Sequence, residues 1–176
     1  KTKQLEEKNT NTKALILPQF TAKIELNRSE KINFKYKLNA RFPDIEQLAN
    51  NFVLNSFNSV YKGNTSLENQ LYHTLNLSYY KFSLIRNLNV NFHTFFNKKV
   101  DQIKSITHLQ GIDQYSTPMM FDLPEHSWRM MGNVSKTLRK LRYKLNTNFN
   151  FSDFHQILND DTHRNISKSI SSTASV

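Results

Sequence analysis

The spacing of apolar residues restricts the fold of this chain more than any other feature of its sequence. After Pro43, which suits the first position of a helix, apolar residues recur every three or four positions. They are Ile45, Leu48, Ala49, Phe52, Val53, Phe57, Val60 and Tyr61. Because this repeat places apolar side chains on one face, it predicts a helix that ends at Lys62, Gly63 and Asn64.

The same spacing predicts two more helices. Thr65 and Glu68 form a Thr-x-x-Glu capping box, which is typical of a helix start. A third helix is predicted over residues 92–106, where apolar residues again recur at helical spacing. The apolar residues of these two segments are Leu67, Leu71, Leu75, Tyr79 and Phe82 in the first, and Phe92, Phe96, Val100 and Ile103 in the second.

The last part of the chain is predicted to hold a long connection and two helices. Residues 107–127 include two prolines and a glycine, which interrupt regular structure. A fourth helix starts near Asn133, a suitable N-cap, and residues 149–158 add a short helix capped by Ser152. The apolar face of the fourth helix holds Val134, Leu138, Leu141 and Leu145.

One segment has the alternation of a strand instead. From Ile32 to Leu38 apolar and polar residues alternate, so the apolar side chains share one side while Lys35 and Lys37 take the other. Residues 15–26 are predicted to pair with this strand as a hairpin, through a turn at residues 27–30. The sequence thus predicts a mainly α fold, a small domain of about four helices with a short N-terminal β-hairpin and flexible tails.

The 176 residues suit one domain with a tail at each end. Residues 1–13 are polar with a single Leu and are predicted to form a flexible N-terminal arm. Residues 14–159 are predicted to be a single mostly helical domain, and residues 160–176, rich in Ser, a flexible C-terminal tail.

Composition excludes most cofactor chemistry. The absence of cysteine rules out a disulfide framework, a thiolate zinc site and a cysteine nucleophile, and three glycines cannot form a glycine-rich phosphate loop. The six histidines have no metal-ligand spacing. His126, beside Glu125 and Trp128, is the most enzyme-like cluster, but we interpret it as packing. We therefore expect no catalytic residue, metal, cofactor or small-molecule substrate, and no enzyme activity.

Positive charge points to a polyanionic partner. The chain has 24 Lys and Arg against 14 Asp and Glu, a formal charge of +10, and five of the nine residues 136–144 are basic. On a helix, these residues face away from the leucines and can contact RNA phosphates. The predicted RNA-binding residues are Arg129, Lys136, Arg139, Lys140, Arg142 and Lys144. An ordinary solvated helix face and a basic helix lying on an anionic membrane are the alternatives.

Two further features bear on location. The longest purely aliphatic run, at residues 14–17, is far shorter than the roughly 20 residues of a spanning helix, so no membrane insertion is expected. The chain begins with Lys1 rather than Met, which we interpret as a processed or trimmed product.

In general character the chain resembles the accessory proteins of yeast mitochondrial ribosomes. The shared features are positive charge, absence of cysteine, polar ends, the missing initial Met and enrichment in Asn, Lys and Phe. The resemblance implies a mitochondrial matrix protein of the large ribosomal subunit that contacts rRNA and neighbouring ribosomal proteins. Alternatives are an adaptor that docks a protein partner through a loop around residues 118–128, a DNA-binding protein, or an unrecognised enzyme with a spatially assembled site.

Overall fold

The computed structural model describes residues 14–176, and strands account for 75% of these residues and helix for 2%. The prediction of a mainly α domain is therefore wrong. The predicted arm at residues 1–13 lies outside the described residues. The elements are β1 (Gln19–Asn27), β2 (Glu30–Arg41), α1 (Ile45–Leu48), β3 (Phe52–Ser56), β4 (Ser59–Lys62), β5 (Gln70–Ser83), β6 (Leu88–Gln110), β7 (Asp113–Phe121), β8 (Glu125–Leu138), β9 (Leu141–Leu158) and β10 (Asp161–Ser175).

The predicted helices fail because a four-residue repeat fits two structures. Residues four apart lie on one face of a helix and also on one face of a strand, whose side chains alternate with a period of two. Leu71, Leu75 and Tyr79 therefore share a face of β5, and Phe92 and Phe96 share a face of β6. Asn76 and Ser78 of β5 and Asn91 and Asn97 of β6 occupy the opposite face, as alternation along a strand requires.

The remaining predicted helices also resolve into strands. The helix expected after Pro43 is limited to the four residues of α1, after which β3 and β4 form a hairpin. The fourth predicted helix spans the end of β8, a two-residue turn and the start of β9, and the short helix at 149–158 is part of β9. The predicted connection at 107–127 contains the end of β6, all of β7 and the start of β8.

The last strand, β10, occupies the segment for which a flexible tail was predicted. It pairs with β9 along its whole length, from Asp161 opposite Leu158 to Ser175 opposite Lys144. The two strands are joined by Asn159 and Asp160, with φ angles of 47° and 67°. Two consecutive residues with positive φ are typical of a type I′ hairpin turn.

The predicted N-terminal hairpin is confirmed. The alternating segment lies within β2, which pairs antiparallel with β1, and Ala22 is opposite Phe34. The side-chain oxygen of Asn27 accepts hydrogen bonds from the Ser29 backbone N–H at 3.1 Å and from its hydroxyl at 3.0 Å. This local turn stabilises the hairpin at residues 27–30.

The 23-residue strand β6 connects two different regions. Its first half pairs with β5 on one edge and β8 on the other, within an antiparallel sheet of strand order β1-β2-β5-β6-β8-β9-β10. We call these seven strands the broad sheet. The second half of β6 pairs with β7, which is parallel to β4. We call this region, with the adjoining ends of β8 and β9, the junction.

The buried hydrophobic residues gather at the junction. Ile106 and Phe121 are buried, and Pro118 between them in sequence is fully buried. The loop that contains buried Leu67 is tied to the same place, because the Asn64 amide donates to the Pro118 carbonyl at 3.1 Å. The small core therefore belongs to the junction and not to the broad sheet.

The broad sheet is a single layer. The chain exposes 13603 Å² of surface, whereas a compact monomer of 20.7 kDa exposes about 8,900 Å². Residues 1–13, whatever their conformation, can supply at most about 2,200 Å² of the difference. Both faces of the broad sheet are therefore open to the surroundings. In the described part of the chain, no helix has the length and apolarity needed to cross a membrane.

Candidate functional site

One face of the broad sheet is apolar across six of its strands. The strand registers align alternate residues into rows that run across the sheet. We call three adjacent rows the apolar band. It consists of Tyr36, Leu75, Phe96, Trp128 and Phe151 in the first row, Phe34, Leu77, Thr94, Met130 and Phe149 in the second, and Ile32, Tyr79, Phe92, Gly132 and Thr147 in the third. The outer strand β1 extends the face with Phe20 and Ile24.

Ionisable residues border the apolar band on both sides. On the side of Trp128, the neighbouring row holds His73, Lys98, His126 and Asp153. On the other side, the neighbouring row holds Glu30 and Lys81, and Lys136 follows one row further out on β8. We call these the boundary rows. On β5, eight residues separate His73 from Lys81, or about 27 Å, and on β8 ten residues separate His126 from Lys136, or about 34 Å. The spacing is wider on β8 because the row of Glu30 and Lys81 continues there as the apolar residue Val134.

The apolar band is partly exposed, because most of its side chains are half-buried, Thr94 is buried and Trp128 is exposed. Trp128 on β8 is 41% exposed, and Ile170, beside the band on edge strand β10, is 73% exposed. The Trp128 indole N–H donates to the Thr94 hydroxyl at 2.5 Å, and the indole meets the Phe96 ring edge-on at 6.3 Å. The single polar atom of the indole is thus bonded within the face, so the ring presents only apolar surface outwards.

At one boundary, Glu30 is paired within the protein. Its carboxylate accepts hydrogen bonds from the Tyr79 hydroxyl at 2.6 Å and from Lys81 at 2.9 Å. These two bonds lower the pKa of Glu30 below its ordinary value. The charge of Glu30 is therefore compensated at neutral pH.

At the other boundary, Asp153 is paired in the same way. Both of its oxygens accept hydrogen bonds from the Arg164 guanidinium, at 2.9 and 2.6 Å. This bidentate pair lowers the pKa of Asp153. His126 Nε2 lies 3.8 Å from the same carboxylate, and Tyr36 and His73 share a hydrogen bond of 2.8 Å nearby.

The opposite face of the broad sheet is polar and positively charged. Its uncharged positions are mainly Asn, Ser and Thr, and its acidic residues are Glu25, Glu125 and Asp161. Phe95, 41% exposed, lies on this face directly opposite Arg129 in the β6–β8 register. The basic residues of this polar face are Lys23, Lys31, Lys35, Lys37, Arg41, Lys99, Arg129, Arg142 and Lys144.

The six predicted RNA-binding residues lie on three different surfaces. Arg129, Arg142 and Lys144 belong to the polar face, and Lys136 points to the apolar face. Arg139 and Lys140 form the turn between β8 and β9. The leucines that were expected to anchor a basic helix are exposed instead, with Leu138 at 51% and Leu141 at 54%. The helical basis of the prediction is wrong, and RNA binding itself stays a prediction.

Two grooves cross the broad sheet at β8 and β9. The groove on the polar face encloses about 630 Å³ and is lined by Phe95, Arg129 and several Ser and Asn side chains. Arg129 in it donates to the Asn150 side chain at 3.0 Å. The groove on the apolar face, the apolar groove, encloses about 860 Å³. Its lining consists of Phe96, Lys98, His126, Trp128, Met130, Phe149, Phe151 and Lys168.

A buried charged cluster holds the junction together. Glu125, 5% exposed, accepts hydrogen bonds from the Lys104 ammonium and from the His155 backbone N–H. Lys104 also donates to the His155 carbonyl oxygen. These contacts join β6, β8 and β9 where the β6–β8 pairing ends, so we interpret the cluster as structural. Glu125 and His126 occupy opposite faces of β8 and do not form one site.

No group of three or more metal-ligating side chains comes together in residues 14–176. Comparison with family models, with curated proteins and with solved structures found no match to this chain. The two faces of the broad sheet are therefore the features of the described residues that bear most directly on function.

Proposed function

We propose that this chain is a non-catalytic membrane protein whose broad sheet places its apolar band against the acyl chains of a lipid bilayer. The observation that carries the proposal is the partly exposed apolar band, which no other element of the described residues covers and which a polar face backs. A sheet with one apolar and one polar face needs an apolar neighbour on one side only.

The size of the exposed face supports this proposal. Six strands at about 4.8 Å spacing and about 27 Å between boundary rows give an apolar face on the order of 800 Å². The largest apolar patch on a soluble monomer is typically about 300–600 Å². A larger patch indicates a surface that is covered by a membrane or by another protein.

The arrangement along the strands favours lipid as the cover. The distance between the boundary rows is similar to the roughly 30 Å thickness of bilayer hydrocarbon. Trp128 and Tyr36 lie in the row next to one boundary, and amphipathic aromatic side chains favour the level of the lipid headgroups. Charged rows on either side of the band would then lie among headgroups and water.

The two outer strands set a further requirement. Among the described residues, β1 pairs only with β2 and β10 only with β9, so each has one open edge. Hydrocarbon offers no hydrogen-bond partners to backbone groups. The proposal therefore includes additional strands, from a second copy or another polypeptide, that pair with these edges in the membrane.

This proposal departs from the expectation of no membrane insertion, which considered helical spans alone. A ribonucleoprotein role is the second candidate, because the polar face carries nine basic and three acidic residues, with Phe95 beside Arg129. Phosphate contact combined with stacking on exposed aromatic rings is typical of single-strand binding surfaces. The ribosomal and mitochondrial assignments belong to this second candidate and stay predictions.

The single tryptophan makes a direct test available. Trp128 lies on the apolar face, and Met131 lies on the polar face of the same strand. The natural chain is compared with a Trp128→Phe/Met131→Trp variant, using vesicles that contain lipids brominated on their acyl chains. We expect strong quenching of Trp128 fluorescence and weak quenching of the relocated indole.

Equal quenching of both proteins, or quenching of neither, would contradict lipid contact by the apolar face. A fluorescence change caused by single-stranded RNA in the Met131→Trp reporter, without any lipid effect on Trp128, would favour the second candidate. Circular dichroism of both proteins checks that the exchange leaves the sheet intact.

A further inference from the structure

The apolar groove combines an apolar floor with two ammonium groups. Trp128, Met130 and Phe149 belong to adjacent rows of β8 and β9 and line the floor of the groove. Lys98 on β6 lies in a boundary row, and Lys168 on β10 lies in the same row as Trp128. An apolar surface flanked by cations matches the chemistry of an anionic amphiphile.

The two lysines differ from Lys81 and Arg164, the paired cations on this face. Glu30 is neutralised by Lys81, and Asp153 by Arg164. Neither Lys98 nor Lys168 forms an ion pair with a carboxylate within residues 14–176. An unpaired ammonium group beside an apolar surface is costly unless it reaches water or an anion.

The surroundings of each lysine direct it towards the rim of the groove. The Lys168 ammonium lies 5.8 Å from the centre of the Phe151 ring, so a cation–π contact holds it over the aromatic row. His126 also lines the groove, but its carboxylate neighbour Asp153 is already bound by Arg164. No uncompensated negative charge therefore opposes an anion between Lys98 and Lys168.

We propose that the apolar groove binds an anionic phospholipid of the bilayer, with acyl chains on the aromatic floor and the headgroup phosphate at Lys98 and Lys168. This inference rests on the proposed function and adds to it a lipid class and a binding position. Charge-assisted hydrogen bonds from lysine to phosphate are among the stronger ones in proteins. The bonds form at the boundary of the apolar band, where headgroups lie if the band faces hydrocarbon.

A soluble anion fits this groove less well than a lipid. Its floor is built of aromatic and thioether side chains, which contribute no hydrogen bonds to a free phosphate. The acyl chains of a lipid bury that floor, so the apolar contact and the charge contact form together. The polar-face basic residues, by contrast, lie among Asn and Ser side chains.

The experiment measures binding of the full chain to vesicles of phosphatidylcholine with and without phosphatidylglycerol. A Lys98→Gln/Lys168→Gln variant is compared with a Lys35→Gln/Lys37→Gln variant, which removes the same charge from the polar face. We expect the first variant to lose roughly thirtyfold in affinity for the anionic vesicles, equivalent to about 1 kcal/mol for each lysine. We expect at most a threefold loss for the control variant and unchanged binding of both to neutral vesicles.

The outcomes separate this inference from the proposed function. If the Lys98/Lys168 variant binds anionic vesicles as the natural chain does, while brominated lipids still quench Trp128, the lipid site is wrong and the membrane proposal stands. If the natural chain binds no vesicle, both fail. Release from anionic vesicles by inorganic phosphate, but not by chloride of equal ionic strength, would show a free-anion site and overturn the inference. A greater loss of RNA binding than of lipid binding in the Lys98/Lys168 variant would overturn it as well.

Discussion

The junction and the broad sheet are built from the same long strand, β6, but they are stabilised differently. At the junction, Ile106, Pro118 and Phe121 are buried, and Glu125 is enclosed among positively charged and hydrogen-bonding groups. In the broad sheet, aromatic and aliphatic side chains align in rows but remain open. The difference shows that half of this molecule carries its own core and the other half depends on its surroundings.

This comparison predicts different responses to the environment. The buried contacts of the junction are complete within the chain, so lipid should leave their contribution to stability unchanged. The open rows of the broad sheet gain stability only when an apolar phase covers them. Four sets of variants test this, from the largest expected effect to the smallest.

Replacing Glu125 should destabilise the junction most. In a Glu125→Gln variant the buried ammonium of Lys104 loses its charged partner, and breaking one side of a buried pair costs about 3–5 kcal/mol. Urea unfolding measures the loss. Asp122→Asn, at an exposed position nearby, is the control and should change stability by less than about 0.5 kcal/mol. A loss below about 1 kcal/mol for Glu125→Gln would show that the cluster does not hold the junction.

Two phenylalanines compare the core with the open face. Phe121→Ala should cost about 3–4 kcal/mol with or without lipid, because it leaves a cavity in the junction core. Phe20→Ala, at a site that is 59% exposed on the apolar face, should cost less than about 1 kcal/mol in water. Its cost should rise when vesicles are present. Equal costs for the two variants in water would remove the contrast between the regions.

Gly63 and Gly132 allow the two regions to be compared by the space around the backbone. A Cβ added at Gly63 would lie 2.2 Å from the Ala49 carbonyl oxygen and 2.8 Å from that of Gln47, whereas at Gly132 it would meet no atom within 4 Å. Gly63→Ala should therefore cost about 1–3 kcal/mol. Gly132→Ala should be neutral or slightly stabilising, since it reduces the freedom of the unfolded chain. Thermal unfolding of both variants decides between these outcomes.

The smallest effect is a pH dependence from the boundary rows. Arg164 lowers the pKa of Asp153 in the folded state, so the pair stabilises the fold above the ordinary carboxyl pKa and this contribution is lost as pH falls below about 4. Melting temperatures of the natural chain and of Asp153→Asn should differ at pH 7, and the difference should shrink progressively as the pH falls below about 4. A difference that does not shrink below about pH 4 would assign the stabilisation to something other than the charge.

The N-terminal hairpin could be predicted from the sequence because apolar residues alternate with polar residues, two of them lysines, along β2. This alternation fits the two-residue period of a strand and not the period of a helix. In β5 the spacing of Leu71, Leu75 and Tyr79 is compatible with a helix and with a strand. Leu77 distinguishes them, because it lies far from Leu75 around a helix but on the same face of a strand. The uncharged Asn76 and Ser78 between these residues gave a weaker signal of alternation than the lysines of β2.

The candidate site was less accessible to sequence reasoning than the fold. The basic run at residues 136–144 crosses a hairpin turn, so its members point in different directions although they are consecutive in sequence. The apolar groove joins β6, β8, β9 and β10, and its residues meet only once the register of four strands is fixed. No local pattern contains that register.

A single irregularity in β6 decides how the two regions fit together. Tyr72 is opposite Lys99 and Leu71 is opposite Asp101, so Val100 is an extra residue in the ladder. In a regular strand Lys99 and Lys104 would lie on opposite faces, because they are an odd number of positions apart. The extra residue places both on the same face, where both approach Glu125. Deleting Val100 would therefore move every later side chain of β6 to the opposite face of the strand. Lys104 would then point away from Glu125, and the buried and exposed side chains of this segment would exchange places. We therefore expect the fold to tolerate a substitution in the open rows more readily than a change of length at Val100.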